Sequence, residues 1–166
     1  ADAENRYIIF CKNTDKICIF TNKGQMHLLK VLDLPYGKFR DKGTPIDNVS
    51  NYNSSEEDLV YITSMGHIRD KKLLFGTKSA MLKQVDGLEF DVAKRTTAAT
   101  KLAEDDELLF VDVIEENDHI VMQSKKDMFL RIEGGTIPEK KKGAVGVRGM
   151  RLATEDMLEA IYLLKE

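Results

Sequence analysis

The stretch CIFTNKGQMHLL, from Cys18 to Leu29, is a β-hairpin pattern, and it decides the fold because it recurs. An apolar run leads into a short polar turn, and a second β-rich run follows that turn. The copies are LLFGTKSAMLKQ from Leu73 and IVMQSKKDMFLR from Ile120, which we align at offsets of 55 and 47 residues. This alignment predicts that three methionines occupy the same core position of successive repeats, namely Met26, Met81 and Met128.

Each hairpin is followed by a less regular basic stretch, an acidic turn and a final strand, the last seen in EEDLVYI, EDDELLFVDVI and EDMLEAIYLL. Tandem units of about 50 residues with four short strands are typical of propeller blades. We therefore predict an all-β fold of about three four-stranded blades in an open array. The predicted boundaries are 15–62, 63–114 and 115–166, with 1–14 as the closing strand of a preceding blade. For the last segment, 153–166, a helix capped by Thr154 remains an alternative to a strand.

Composition excludes several classes of protein. The net charge is −3, and no window of eighteen apolar residues could span a membrane. Two cysteines, Cys11 and Cys18, are too few for a disulfide scaffold, which favours reduced thiols and a cytoplasmic protein. No nucleotide-binding or catalytic motif is present, and the three histidines are far apart, so we expect no catalytic site, metal or cofactor.

Positive charge is concentrated in the irregular segments. Between Lys125 and Arg151 eight cations oppose three acids, although the chain is acidic. Cations on a curved edge neutralise phosphates, and glycines such as Gly143, for which we expect a tight backbone bend, let the backbone approach them. Solvated loops are the alternative for each segment. The predicted DNA-binding residues are Lys38, Arg40, Lys42, Lys94, Arg95, Lys101, Lys140, Lys141, Lys142, Arg148 and Arg151.

The sequence ICIFTNKGQMHLLKVLDLP, followed by RDKGTPIDNV, resembles blades of the C-terminal domain of the DNA gyrase A subunit and of its paralogue, the topoisomerase IV A subunit. LLFGTKSAMLKQ and EKKKGAVGVRGMRL resemble later blades. The resemblance implies a β-pinwheel of four-stranded blades that exchange strands and bind and bend duplex DNA. It also implies that the remainder of the A subunit and the ATPase B subunit are partners, and that ATP, Mg²⁺ and the catalytic tyrosine belong elsewhere.

Three repeats are fewer than the family's usual number, and the chain starts without Met, so we expect an excised part of the pinwheel. Open blade edges at Arg6–Phe10 and Leu158–Leu164 could then support a homodimer. The QRRGGRG box of DNA-wrapping gyrases is absent, and KKKGAVG at Lys140–Gly146 resembles its degenerate form, so gyrase and topoisomerase IV both remain open. A protein-interaction propeller is the alternative function, and an enzyme ranks third.

Overall fold

The computed structural model describes residues 9–165 of the 166-residue chain. Nearly all of this part is strand, turn and loop, and each helix within it has only three or four residues. The predicted closing strand at 1–14 falls mostly on residues 1–8, which lie outside the described residues, and residues 9–14 contain no strand. The all-β prediction is confirmed.

Within residues 9–165 the strands follow one another as repeated hairpins with a later closing strand. They are β1 (Lys16–Thr21), β2 (Gln25–Lys30), β3 (Leu59–Ser64), β4 (Lys72–Thr77), β5 (Met81–Asp86), β6 (Thr96–Ala98), β7 (Leu108–Ile114), β8 (His119–Ser124), β9 (Phe129–Glu133), β10 (Val147–Arg148) and β11 (Leu158–Leu164).

The strands form three antiparallel sheets, and the repeats exchange strands. The sheet orders are β3-β1-β2-β6, β10-β5-β4-β7 and β11-β8-β9. In the first two sheets the outer strand, β6 or β10, comes from the following repeat, as the pinwheel resemblance implies. The third sheet has three strands within the described residues, because no later repeat there supplies an outer strand to β9. The blade boundaries at 15–62, 63–114 and 115–166 stay a prediction about the repeats.

The hairpin turns show that the offset between the first two repeats is 56 residues, one more than the sequence alignment assumed. Gly24, Ala80 and Asp127 are each the third turn residue, each has positive φ (75°, 65° and 62°), and they are 56 and 47 residues apart. A slip of one residue exchanges the two faces of a strand. Met26 is therefore fully buried while Met128 is 58% exposed, and the prediction that the methionines share one core position is wrong.

Both faces of the first hairpin are buried, because its residues alternate between two apolar clusters. On one face Phe20 packs edge-on against Phe75 (5.8 Å between ring centroids) and Phe90 (5.3 Å), which joins the first sheet to the second. On the other face Ile19 packs with Leu29 and further apolar residues. A third cluster joins the second sheet to the third. Burying each such side chain contributes roughly 1.5–3 kcal/mol.

The final segment is strand β11, not a helix, because its residues pair with β8 from Leu158 to Leu164. The helical pieces are α1 (Ile46–Val49), α2 (Met65–Ile68) and three 3₁₀ turns at Val31–Asp33, Gly87–Phe90 and Gly134–Thr136. None of the helices within residues 9–165 has the length and apolar character needed to cross a bilayer.

Candidate nucleic-acid interface

The basic segments of the second and third repeats lie beside the outer edge of a sheet. Strand β6 pairs with β2, where Thr96 lies opposite His27, and Lys94 and Arg95 come directly before it. Strand β10 pairs with β5 in the same way, and Lys140–Lys142 precede it. The strand exchange therefore places both groups of cations at outer edges.

Two further cations follow the exchanged strands at equivalent positions. Thr97 lies opposite Met26, and Val147 lies opposite Leu82, which is the equivalent residue of the next hairpin. Lys101 and Arg151 each come four residues later, and both are exposed. Each exchanged strand is thus flanked by cations on both sides, with Arg148 within β10 itself.

The basic run of the third repeat forms a loop that leaves the sheet edge and returns to it. The Gln84 N–H donates to the Pro138 carbonyl at 2.9 Å, and the Lys140 N–H donates to the Gln84 carbonyl at 2.8 Å. The chain rejoins β5 at Val147. Residues 141–146 lie between these two attachments, and we call them the basic loop.

A buried lysine on β5 holds the basic loop. Lys83 is 1% exposed, and its Nζ donates to the carbonyl oxygens of Lys141 (2.9 Å), Lys142 (3.3 Å) and Ala144 (2.6 Å). An ammonium group has three N–H donors, so these carbonyls account for all of them. Its Nζ also lies 5.7 Å from the centroid of the Phe75 ring. Lys83 is not among the DNA-binding residues that the sequence predicts.

Burial lowers the pKa of Lys83 from 10.5 to about 8. The nearby Glu89 carboxylate opposes this shift, and the Lys140 ammonium adds to it. Glu89, in the 3₁₀ turn after β5, also accepts the Lys142 N–H at 3.0 Å, and its carbonyl accepts from Lys142 Nζ at 3.1 Å. Lys142 is therefore half-buried and engaged with the protein, whereas Lys141 is exposed.

The basic loop reaches the first sheet, which brings two of the three basic segments together. Thr100 Oγ1 lies 3.5 Å from the Ala144 carbonyl oxygen and 3.4 Å from that of Lys101, the next residue, so these two acceptors share one hydroxyl donor. Cations beside β6 and cations beside β10 consequently border one surface that runs across two sheets. We call this surface the basic edge; it consists of Lys94, Arg95, Lys101, Lys140, Lys141, Lys142, Arg148 and Arg151.

The basic segment of the first repeat is not part of the basic edge. Lys38, Arg40 and Lys42 are exposed, and no hydrogen bond or ion pair within residues 9–165 joins them to the other candidates. The Lys38 N–H donates to the Asp41 carboxylate at 2.6 Å, and Arg40 has a φ of 80°. Residues 31–58 contribute no strand to a described sheet, so this segment lies on no outer edge there.

The candidate cations differ from several other cations in their ion pairing. Within the part of the chain that is described, none of the eleven candidate side chains lies within 4.0 Å of a carboxylate oxygen. The cations that do form such pairs are Lys16, Lys23, Arg69, Lys71, Lys72, Lys78 and Lys165. No carboxylate therefore neutralises the candidates, although Lys142 Nζ and Arg95 Nη2 donate to the backbone carbonyls of Glu89 and Val49.

The glycines of the basic loop act differently from the expectation. Gly143 lies in the expected tight turn, which the Ala144 N–H closes by donating to the Lys141 carbonyl at 3.1 Å. However, Gly143 has no positive φ and nothing within 4 Å of the place of a Cβ, so this turn does not require glycine. At Gly146 a Cβ would lie 2.5 Å from the Leu82 carbonyl oxygen. Gly146 is thus the residue whose lack of a side chain lets the loop approach β5.

A second polar side chain holds an exchanged segment in the first sheet. His27, equivalent to Lys83 in the hairpin, is buried, with Nδ1 2.9 Å from Thr96 Oγ1 and Nε2 2.8 Å from Glu57 Oε2. Burial raises the pKa of Glu57, but hydrogen bonds from the Asn53 N–H, His27 and Thr21 outweigh this and lower it. No group of three His, Cys, Asp or Glu side chains suited to a metal occurs among residues 9–165.

Comparison with known proteins identifies similar sequences. The sequence model of the family described as "DNA gyrase C-terminal domain, beta-propeller" matches residues 71–115 and 118–165. The DNA gyrase A subunit of Lawsonia intracellularis is 33% identical over 155 residues, which cover 93% of this chain and 19% of that protein. The corresponding protein of Rickettsia bellii is 30% identical over 152 residues, covering 88% and 17%. The chain therefore spans about a fifth of the length of these relatives.

Two solved structures share the fold. The C-terminal domain of DNA topoisomerase IV matches with a TM-score of 0.86 at 20% identity, over 93% of this chain and 48% of that one. The DNA gyrase A C-terminal domain matches with a TM-score of 0.66 at 19% identity, over 92% and 49%. At these identities the likeness concerns the fold.

Proposed function

This chain belongs to the DNA gyrase C-terminal domain family, and we propose that it binds duplex DNA without sequence preference along its basic edge. Lys38, Arg40 and Lys42 extend the contact from the first repeat. The function is that of a DNA-binding module, and it requires no cofactor within this chain.

The observation that carries this proposal is the charge of the two exchanged segments. From Lys140 to Arg151 there are five cations and no acid, and from Lys94 to Lys101 three cations and no acid. Duplex DNA is a line of phosphates, and each phosphate neutralised by a cation releases counterions, which supplies affinity without reading bases. Unpaired exposed cations on adjoining sheets suit this role, because they contribute little to folding.

The arrangement of the sheets supports DNA bending as part of this proposal. The outer edges of the first two sheets adjoin at Thr100 and Ala144, and successive sheets of a blade array are rotated about a common axis. A duplex that contacts both edges must curve, and the cost of the curvature is offset by the additional phosphate contacts. We propose that this curvature presents DNA to the remainder of a type IIA topoisomerase A subunit.

The wider assembly is part of the same proposal. Strand cleavage, ATP and Mg²⁺ belong to other segments of the A subunit and to the ATPase B subunit, and the site of action is the cytoplasm, where bacterial DNA lies. The free thiols of Cys11 and Cys18 suit that compartment.

A second candidate function, contact with protein, is favoured by the uncovered edge of the third sheet. Met128 and Phe129 are 58% and 61% exposed beside β9, which has no outer strand within residues 9–165. A homodimer through this edge, or contact with another part of the A subunit, would cover them. The sequence predicted a homodimer contact at Leu158–Leu164, which is β11, one edge strand of this sheet. We now propose that the contact is made by β9, the opposite edge strand.

A salt titration tests the proposed function. With roughly 4–8 phosphate contacts, the logarithm of the affinity for a mixed-sequence duplex should fall against log salt with a slope of about −4 to −7. Two unrelated duplexes should bind equally well. Absence of binding at low salt, or an affinity independent of salt, refutes the proposal and favours the protein-interaction function.

A further inference from the structure

The carbonyl groups of the basic loop point inward, and this determines where its N–H groups point. Lys83 Nζ donates hydrogen bonds to the carbonyl oxygens of Lys141, Lys142 and Ala144. In a trans peptide the C=O of one residue and the N–H of the next point in opposite directions. The N–H groups of Lys142, Gly143 and Val145 must therefore point away from Lys83.

One of these N–H groups already binds an anion within the protein. The Lys142 N–H donates to Glu89 Oε1 at 3.0 Å, which shows that the outward side of the loop accepts a negatively charged oxygen. No hydrogen bond within residues 9–165 uses the Gly143 or Val145 N–H. The Ala144 N–H between them donates to the Lys141 carbonyl at 3.1 Å and closes the turn of the loop. Backbone N–H groups that a turn directs to one side form a concave site for anions.

We propose that Lys83 is a positioning residue that turns the backbone N–H groups of the basic loop outward, so that Gly143 and Val145 bind a DNA phosphate together with Lys141. This inference rests on the proposed function and adds backbone contacts to it. Lys83 itself does not touch DNA. Its ammonium group donates the hydrogen bonds that water would otherwise donate to three carbonyl groups, and it thereby stabilises one conformation of the loop.

The equivalent positions of the other hairpins support this role. His27 contacts Thr96 of the exchanged strand in the first sheet, and in the third sheet, which has no exchanged strand among the described residues, the equivalent residue is the partly exposed Leu130. A buried polar side chain thus occurs at this position in the two sheets that hold an exchanged segment. A lysine buried only for core packing would not require three loop carbonyls.

Variants of Lys83 test the inference. Lys83→Met keeps the side-chain length but removes the donors, Lys83→Arg keeps charge and donors, and Lys125→Met is an exposed control with the same charge change as Lys83→Met. For a mixed-sequence duplex at 0.1 M salt, we expect Lys83→Met to lose about tenfold in affinity and to flatten the salt slope by about 0.9, the value for one phosphate contact. Lys83→Arg should stay within about threefold of the wild type, and Lys125→Met should match it.

Amide hydrogen exchange provides a readout that does not depend on DNA. In Lys83→Met the amides of Lys142 and Ala144, the two hydrogen-bonded amides of the basic loop, should exchange faster while those of β4 and β8 keep their protection. If exchange at these two amides is unchanged in the folded variant, or if the variant binds DNA with wild-type affinity and slope, the inference is overturned. Failure of the wild type to bind DNA at low salt refutes the proposed function instead. The exchange result then still decides whether Lys83 holds the loop conformation.

A pH profile distinguishes positioning from packing. Phosphates near the loop favour the protonated form of Lys83, so the wild-type affinity should fall as pH rises from 7 to 9, through its pKa of about 8. The charged groups that face this ammonium are the Glu89 carboxylate and the Lys140 ammonium. The affinity of Lys83→Met should be flat over the same range, and a fall equal to that of the wild type contradicts the proposal.

Discussion

Removing three exposed cations from the basic edge should weaken DNA binding strongly while leaving the fold intact. The variant is Lys141→Ala, Arg148→Ala and Arg151→Ala together, and all three side chains are exposed without a carboxylate partner among residues 9–165. Three lost phosphate contacts correspond to about 0.9 each in the salt slope, or about 2.7 in all, which is about 500-fold in affinity at 0.1 M relative to 1 M salt. Surface substitutions of this kind change the free energy of unfolding by roughly 0.5 kcal/mol or less each.

Fluorescence anisotropy of a labelled duplex, titrated at four salt concentrations, measures both quantities. The matched control is Lys12→Ala, Lys125→Ala and Lys126→Ala, which removes the same charge from exposed residues outside the basic edge. If only the total charge mattered, both triple variants would weaken binding equally. A basic-edge variant with wild-type slope and affinity refutes the assignment of DNA contact to this edge.

Three other predictions concern the fold. Phe20→Ala should lower the free energy of unfolding by about 3–5 kcal/mol, measured in urea, because it opens a cavity between the first two sheets. Gly146→Val should destabilise the chain, since its Cβ would meet the Leu82 carbonyl oxygen at 2.5 Å, whereas Gly143→Val should have little effect on the thermal midpoint. The free energy of unfolding should rise with pH from about 8 to 10.5 and Lys83→Met should abolish the rise, because Lys83 has a lower pKa folded than unfolded, so the unfolded state binds more protons there.

The repeat architecture could be predicted because local and periodic signals agree. Turn residues such as Asn22–Gly24 interrupt apolar runs at regular spacing, and alternation in β1 puts apolar side chains on both faces. The first offset was nevertheless wrong by one residue. Matching methionine with methionine favoured 55, whereas the positive φ shared by Gly24 and Ala80 requires 56. Composition at a single position is a weaker signal than turn geometry, which sets the register of a hairpin.

The site was only partly predictable, for a physical reason. Exposed cations can be counted in a sequence, but the exchange of β6 and β10 places them beside strands of the preceding repeat, which spacing alone does not show. Lys83 looks like an ordinary strand lysine in MLKQV, and only the folded chain shows its burial under three carbonyls. The available signal was a lysine placed between Leu82 and Val85, both of which are core residues of the same strand.

Lysine footprinting tests the central claim most directly, since it locates the contact on the protein. The chain is acetylated with and without a saturating mixed-sequence duplex at low salt, and each lysine is quantified by mass spectrometry. DNA binding along the basic edge predicts that Lys94, Lys101 and Lys141 lose reactivity while Lys12 and Lys125 keep theirs. Protection confined to Lys12 and Lys125, or no protection at any lysine under conditions of saturation, would contradict it.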